Sequence, residues 1–558
     1  MISHHAVLIP TFYREWIAAL FGLISGAILL HKRLIEKIDI PVAAFIPLGL
    51  IFILAIQHAA HLHQAASKPL IATLYLLWSA FVMITAFNLK KVISTETIAT
   101  TAALSILVGA MISAILLAMQ LAHIGTNSFW VSPLAQGAGN LGQKNHLANY
   151  LWLGIASAIF LHHRDCLSKN VLIIILIALV TASSFTGSRS ILLYSLVLLA
   201  LSIWSYRKYE SHELKQIAQI SAYILCYLLL LSWCLAYAPS SSELSTATTG
   251  ARLVSEASTT SIRLQLWRTG LQIFSEHPWF GVGVGQFPYQ SYLLVGRMKT
   301  GTLIGGAEHT HNLIIQLLCE WGTFSLILLF VFGGIWWRDF IRAKWSHAEW
   351  WIAALLLVIL THSQLEYPLW YTFVLGTFSF ALGLGNSTEF RYRTTEICRL
   401  AVAPILVLGA TTLASLFSDY QQLEKAVIPT PRSVPYASDP ERIKALSRIG
   451  KESLFADYRS LVFSQILDIN HELLSEKIAV CREAIRFIPI KATAFKLVWL
   501  LALDKKYDEA IVALRSAIAT YPGYVPVAKN DLAVLIRDFP EISWLSAEFD
   551  RLTVQTKK

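Results

Sequence analysis

Charge is scarce in this chain. Asp, Glu, Lys and Arg make up 14% of its 558 residues, and 55% are hydrophobic. Soluble domains carry about 25% charge, so an apolar excess of this size cannot be hidden in one soluble core, and most of the chain faces lipid. Paired cysteines are missing as well. Cys166, Cys226, Cys234, Cys319, Cys398 and Cys481 form no C-x-x-C pair, which leaves no sign of a disulfide framework or a thiolate metal site. There is no P-loop, no H-E-x-x-H and no D-x-D pair, and the glycine run at Gly281–Gly285 follows no strand. Nucleotide-driven and metal-driven chemistry therefore have no visible seat. No basic, aromatic-interleaved soluble module appears, which argues against nucleic acid as a partner. The net charge of +10 fits cytoplasmic loops and anionic lipid instead. The first apolar stretch lacks a small-residue cleavage site and reads as a retained span.

Long apolar runs are abundant. A spanning helix needs about 20 mostly apolar residues. Candidates are Trp16–Leu30, Pro41–Gln57, Leu70–Phe87, Thr97–Ala122, Leu147–His162, Val171–Ser183, Ile191–Tyr206, Ile217–Tyr237, His311–Trp337, Trp350–Thr361, Pro368–Gly385 and Leu400–Phe417. Val171–Ser183 and Trp350–Thr361 are short, as tilted or partly re-entrant segments would be. These runs predict an all-α polytopic transmembrane bundle of about twelve helices over 1–417. A soluble helical region follows over 418–558. Lys32, Arg33, Lys37, Lys90, Lys91, Arg164, Arg207, Lys208, Arg338, Arg342, Lys344, Arg391, Arg393 and Arg399 fall in alternate loops. Those loops are expected in the cytoplasm. The others, including 123–146, the large loop 238–310 and the 418–558 tail, then face outward. This parity puts the N-terminus outside, as a further span upstream of Met1 or a hairpin insertion of the first two helices would allow. Ala238–Thr260 is rich in Ser, Thr and Ala and reads as a flexible external segment. Ile262, Leu266 and Ile273 predict an amphipathic helix over Ser261–Phe274. In the tail, Ala494–Tyr521 resembles a tetratricopeptide-type hairpin, with an unrelated small helical bundle as the alternative.

Polar residues gather in the outward loops, where ionisable groups beside lipid are costly and point to function. Gly139–His146 holds Gln143, Asn145 and His146. It reads equally as a polar site or as a helix entry with Asn145 near the cap. Arg189, in Gly187-Ser188-Arg189-Ser190, breaks the positive-inside trend. It suits a bidentate diphosphate contact or a snorkelling anchor. Arg263 and Trp267 share a helix face by their spacing, with Arg268 beside them; a solvated face next to an aromatic anchor reads as well. Glu308-His309-Thr310-His311-Asn312 offers a proton acceptor or an interface histidine. Thr361–Pro368 carries Glu366 and Tyr367, and on its chemistry reads first as an ordinary turn. With no energy source in these loops, any transfer must draw on a preloaded substrate such as a lipid diphosphate.

In their order and placement these clusters resemble the O-antigen ligase and polymerase superfamily. They look most like bacterial O-linked protein oligosaccharyltransferases of the PglL type. The motifs that carry this are Gly142–His146, Ser188–Arg189, Arg263-x-x-x-Trp267, Pro278-x-x-Gly281-x-Gly283, His311-Asn312 with Glu320-x-Gly322, and His362-Ser363-x-x-Glu366-Tyr367-Pro368. Pro10-x-Phe12-Tyr13-x-Glu15-Trp16 looks like the start of that branch. The resemblance implies a GT-C-like enzyme of the bacterial inner membrane with its active site facing the periplasm. It would move a glycan from undecaprenyl diphosphate, with inversion and without a metal or other cofactor, to Ser or Thr of a pilin or other periplasmic protein. Ligation to lipid A core and glycan polymerisation are the alternatives. By the same resemblance His311 is the base, and Arg189 and Arg263 bind the diphosphate. Gln143 and Tyr367 position the substrates; Asn145, His146, Arg268, His309, Asn312 and Glu366 are further substrate-binding candidates.

Arg189→Ala is expected to weaken use of a lipid-diphosphate donor more than Arg189→Lys, because lysine keeps the charge but loses the planar fork. Donor-dependent transfer rates of the three forms check this.

Overall fold

The computed structural model describes residues 8–31, 34–62, 67–125, 128, 130–131, 137–236, 258–298, 305–387, 389–390, 397–427 and 440–556. Lys32, Arg33, Arg391, Arg393, most of the Ala238–Thr260 segment and part of the 123–146 loop lie outside these residues.

The apolar runs fold as helices. Among the described residues, eight helices are long and apolar enough to cross a membrane: Phe12–Leu30, Val42–Ala59, Ser67–Leu89, Thr95–Leu121, Ser190–Tyr209, His212–Ala236, Thr323–Arg342 and Leu400–Val427. Lys169–Phe185, His347–Ser363 and Thr372–Gly385 are apolar but shorter. Lys144–His163 is buried along most of its length. One stretch needs correction. His311–Trp337 is not a single span but two helices, Leu313–Trp321 and Thr323–Arg342. Gly322 separates them at φ 72°, a left-handed turn that glycine adopts without steric cost. The chain is an all-α multi-pass membrane protein. Its one departure among the described residues is a two-residue antiparallel pairing of Ile40–Pro41 with Glu389–Phe390.

The chain forms two compact units. The first contains Met1–Leu48, Leu77–Ala257 and Leu329–Thr411. Its core lies among the helices Thr95–Leu121, Lys144–His163, Ser190–Tyr209 and His347–Ser363. A Cβ on Gly154 would collide with the Ala110 methyl, so small residues set how closely two of these helices approach. Two buried indoles are matched by serines: Trp350 Nε1 donates to Ser202 Oγ at 3.0 Å and Trp351 Nε1 to Ser157 Oγ at 3.1 Å. An indole N–H left unpaired at such depth would cost the full desolvation of the donor.

The second unit contains Gly49–Leu76, Ser258–Leu328 and Thr412–Lys558. The helix Ser258–Glu276 confirms the amphipathic reading in part: Leu266 and Ile273 are buried, but Ile262 is exposed. The tail helices Leu474–Phe487, Lys491–Leu503, Tyr507–Thr520, Val525–Asp538 and Trp544–Thr556 build one apolar core. They do not close it alone. Tyr292, from the helix Phe287–Arg297, is 4% exposed and belongs to that core.

Polar clamps tie further parts of this unit together. Asp457, in the helix Ala456–Ile466, accepts the Ser67 N–H at 2.9 Å and also the Ser67 hydroxyl. Lys68 Nζ donates to the Gly285 carbonyl at 2.7 Å and the Phe487 carbonyl at 2.6 Å. Asp457→Ala strands the Ser67 N–H and hydroxyl and should destabilise the protein by about 1–3 kcal/mol, with Asp457→Asn milder because it keeps one acceptor. Thermal unfolding of the detergent-solubilised protein checks both.

Candidate active site

In the first unit the polar residues converge from separate loops. Gly142 takes a left-handed turn and Gln143 is extended, so the next helix begins at Lys144. Asn145 therefore lies inside the first turn, not at the cap. Its amide instead donates from Nδ2 to Glu366 Oε1 at 2.7 Å and accepts at Oδ1 from Ser188 Oγ at 2.7 Å. Gln143 Nε2 donates to Glu366 Oε2 at 3.3 Å. Glu366 is 4% exposed. A buried carboxylate is an acceptor only, and here two amides supply donors that offset its desolvation. The Glu366 backbone N–H returns to the His362 carbonyl at 2.9 Å, which seats it just past the end of His347–Ser363. The ordinary-turn reading of Thr361–Pro368 is thus too bland: the turn delivers a buried acid.

Arg189 is half-buried and precedes the helix Ser190–Tyr209, directly after Ser188. Ser188, the chain neighbour of Arg189, makes the contact to Asn145. His146 stands edge-on to Tyr371 at 4.8 Å and to Tyr367 at 6.1 Å, and Tyr367 stacks on Tyr371 at 5.9 Å. His146 Nδ1 is 3.0 Å from His362 Nε2, and His362 Nδ1 is 2.8 Å from Tyr194 OH. Gln143 Oε1 is buried and has no hydrogen-bond partner among the described residues. Ser188 and His362 stood in the sequence motifs without a role of their own, and Tyr194 and Tyr371 were not singled out. Tyr194 gave no signal, because it sits inside an apolar run.

In the second unit, His311 has φ 55°, a sparsely populated backbone state for a residue with a side chain. What holds it is local. Asn312 caps Leu313–Trp321 by accepting the Ile315 N–H at 3.1 Å, and Gln316 Oε1 accepts the Thr310 N–H at 2.8 Å. His309 is half-buried beside them. The helix Ser258–Glu276 packs here: a Cβ on Gly270 would press on Ile315 and Thr310. Arg263, Trp267 and Gly270 share one face by helical spacing, Arg263 roughly 10 Å along the axis from the contact. Arg268 is exposed, whereas Arg263 is half-buried. Trp267 Nε1 is buried without a hydrogen-bond partner among the described residues.

The glycine run explains itself structurally. Val282 and Gly283 N–H groups donate to the Cys319 and Glu320 carbonyls at 2.9 and 3.2 Å, and the Thr323 N–H donates to the Pro278 carbonyl at 2.8 Å. Gly281, at φ 69°, lies where a Cβ would strike the Glu320 backbone. Glu320 Oε1 accepts the Phe287 N–H at 3.0 Å, and Gln57 Nε2 donates to the Glu320 carbonyl at 2.7 Å. Burial pushes the Glu320 carboxyl above its ordinary range, opposed by the Phe287 and Gly285 N–H groups and the charge of Lys68. Glu320-x-Gly322 and Pro278-x-x-Gly281-x-Gly283 are therefore two halves of one backbone clasp.

Residues 171–330 match the family described as O-Antigen ligase, and residues 350–531 the one described as virulence factor membrane-bound polymerase, C-terminal. A general O-oligosaccharyltransferase of Acinetobacter baylyi is 24% identical over 429 residues, 74% of each chain. Arg189, Arg263, His309 and His311 lie in the first matched stretch and Glu366 and Tyr367 in the second; Gln143, Asn145 and His146 lie outside both.

Glu366→Gln turns one acceptor into a donor facing two donors and should cost about 1–3 kcal/mol. Adding Asn145→Asp restores a complementary pair and should recover part of that loss. Unfolding temperatures of the single and double variants measure it.

Proposed function

We propose that this chain is a membrane glycosyltransferase that transfers an oligosaccharide from undecaprenyl diphosphate to Ser or Thr hydroxyls of periplasmic or pilin-type proteins at the inner membrane. The observation that carries this reading is the hydrogen-bonded set of Gln143, Asn145, Ser188 and Glu366, with Arg189 the next residue after Ser188, in a chain similar to a general O-oligosaccharyltransferase over most of its length. A ring of amides and a carboxylate suits sugar hydroxyls, which both donate and accept. A guanidinium suits a diphosphate.

The reaction joins the acceptor oxygen to the anomeric carbon and breaks the bond from that carbon to phosphate, with inversion. The hydroxyl proton goes to the imidazole of His311 as general base. Undecaprenyl diphosphate leaves with the bonding pair. Arg189 and Arg263 stabilise the charge that grows on it, a role that otherwise falls to a metal ion. Gln143 Oε1 and Tyr367 orient the donor, and Trp267 Nε1 supplies a donor on the Arg263 face. The 418–558 tail, read as a tetratricopeptide-like periplasmic domain, would present the acceptor.

Ligation of the glycan to lipid A core is the second reading, favoured by the match of 171–330 to O-Antigen ligase. Co-expression with a lipid-linked glycan pathway and candidate pilins separates the two. Glycan on protein supports the first, and glycan on lipid A core with bare proteins supports the second. His311→Ala should abolish transfer with expression unchanged, seen as loss of the acceptor's gel shift. Normal modification by that variant removes His311 from the mechanism.

A further inference from the structure

Two imidazoles and a phenol stand in line through the core of the first unit. Tyr194 and His362 are fully buried and His146 is 6% exposed. They come from three different helices, Ser190–Tyr209, His347–Ser363 and Lys144–His163. The contacts are Tyr194 OH to His362 Nδ1 at 2.8 Å and His362 Nε2 to His146 Nδ1 at 3.0 Å.

Each of these contacts holds one proton when both rings are neutral, and a neutral imidazole donates from one nitrogen while accepting at the other. The line therefore has two self-consistent states. In one, Tyr194 donates to His362, His362 donates to His146, and the remaining proton of His146 sits on Nε2. In the other every bond points the opposite way and His146 Nε2 is an acceptor. Mixed states put two protons or none between a pair of nitrogens. The tautomer of His146 is thus coupled to whether the Tyr194 hydroxyl, at the far end of the line, donates or accepts.

We infer that His362 and Tyr194 are positioning residues: they fix the plane and tautomer of His146, which stands against Tyr367 and Tyr371 next to the Gln143–Glu366 ring and reads the glycan of the donor. This rests on the transfer reaction proposed above. Three polar side chains that merely satisfied one another in an apolar core would act on stability alone.

The test uses Tyr194→Phe, His362→Leu and His362→Gln in the full-length protein, with kcat and KM for the lipid-linked donor and an unfolding curve for each. Tyr194→Phe removes only the hydroxyl. Glutamine can bridge Tyr194 and His146 with one donor and one acceptor, and leucine cannot. Hydrogen-bond partners that orient a metal-bound imidazole act by about 10–100-fold, and His362 holds the His146 ring by the same kind of bond. His362→Leu is expected to lose kcat on that scale with KM within about 3-fold, the signature of an effect on the transition state. Tyr194→Phe should lose about 10-fold without a matching drop in unfolding temperature, and His362→Gln should return to within about 5-fold of the parent. Parental kcat in Tyr194→Phe and His362→Leu overturns the inference, as does a loss that follows the folded fraction alone. If the parent leaves proteins bare but modifies lipid A core, the acceptor assignment fails instead. The same variant-to-parent ratios, measured on that ligation, still decide the role of His362 and Tyr194.

Discussion

A polar group that leaves water for the interior of a membrane protein must find its partner within the protein. That constraint orders the first unit. Glu366 is buried, and the chain answers it with the amides of Gln143 and Asn145 drawn from a loop more than two hundred residues earlier. Asn145 in turn engages Ser188, which fixes where the helix bearing Arg189 at its start can lie. The same logic pairs Trp350 and Trp351 with serines and lines Tyr194, His362 and His146 in sequence. Unmade, each of these contacts would leave a donor or acceptor in an apolar surround at a cost of about 1–3 kcal/mol. Satisfied, they specify one arrangement of helices whose apolar surfaces would otherwise slide over one another.

The second unit solves a different problem, that of holding a histidine in an unfavourable backbone state. His311 follows Thr310, whose N–H is captured by Gln316, and precedes Asn312, which caps the short helix. The far end of that helix is locked by Glu320 and Gly322 to the 278–283 strand of loop. The glycines matter here as places where two backbones meet with no Cβ between them. Strain at His311 is thus carried by a helix of nine residues clamped at both ends.

Much of the fold was legible in the sequence because lipid imposes one solution on long apolar runs. Where reading failed, a local feature overrode hydropathy. His311–Trp337 has the apolarity of a span, but Gly322 in a left-handed state divides it. Asn145 has the chemistry of a cap, but Glu366 claims its side chain. Of the site, Gln143, Asn145 and Arg189 were visible because polar residues at the ends of apolar runs stand out, whereas Glu366 read as part of an ordinary turn and entered only through the resemblance. Tyr194 was not visible, since a tyrosine within an apolar helix looks the same whether it ends a hydrogen-bonded line or fills space. Arg263 and Arg268 differ in exposure, half-buried against exposed, which spacing alone does not show.

The place of Tyr292 has a practical corollary. Hydropathy suggests cutting the chain after the last span to obtain the tail as a separate recombinant piece. Such a piece would leave open the part of its core that Tyr292, Tyr289 and Leu293 cover. An exposed apolar patch of that kind invites self-association. A fragment meant for crystallisation needs residues 287–297 restored, by fusion or as an added peptide, to seal it.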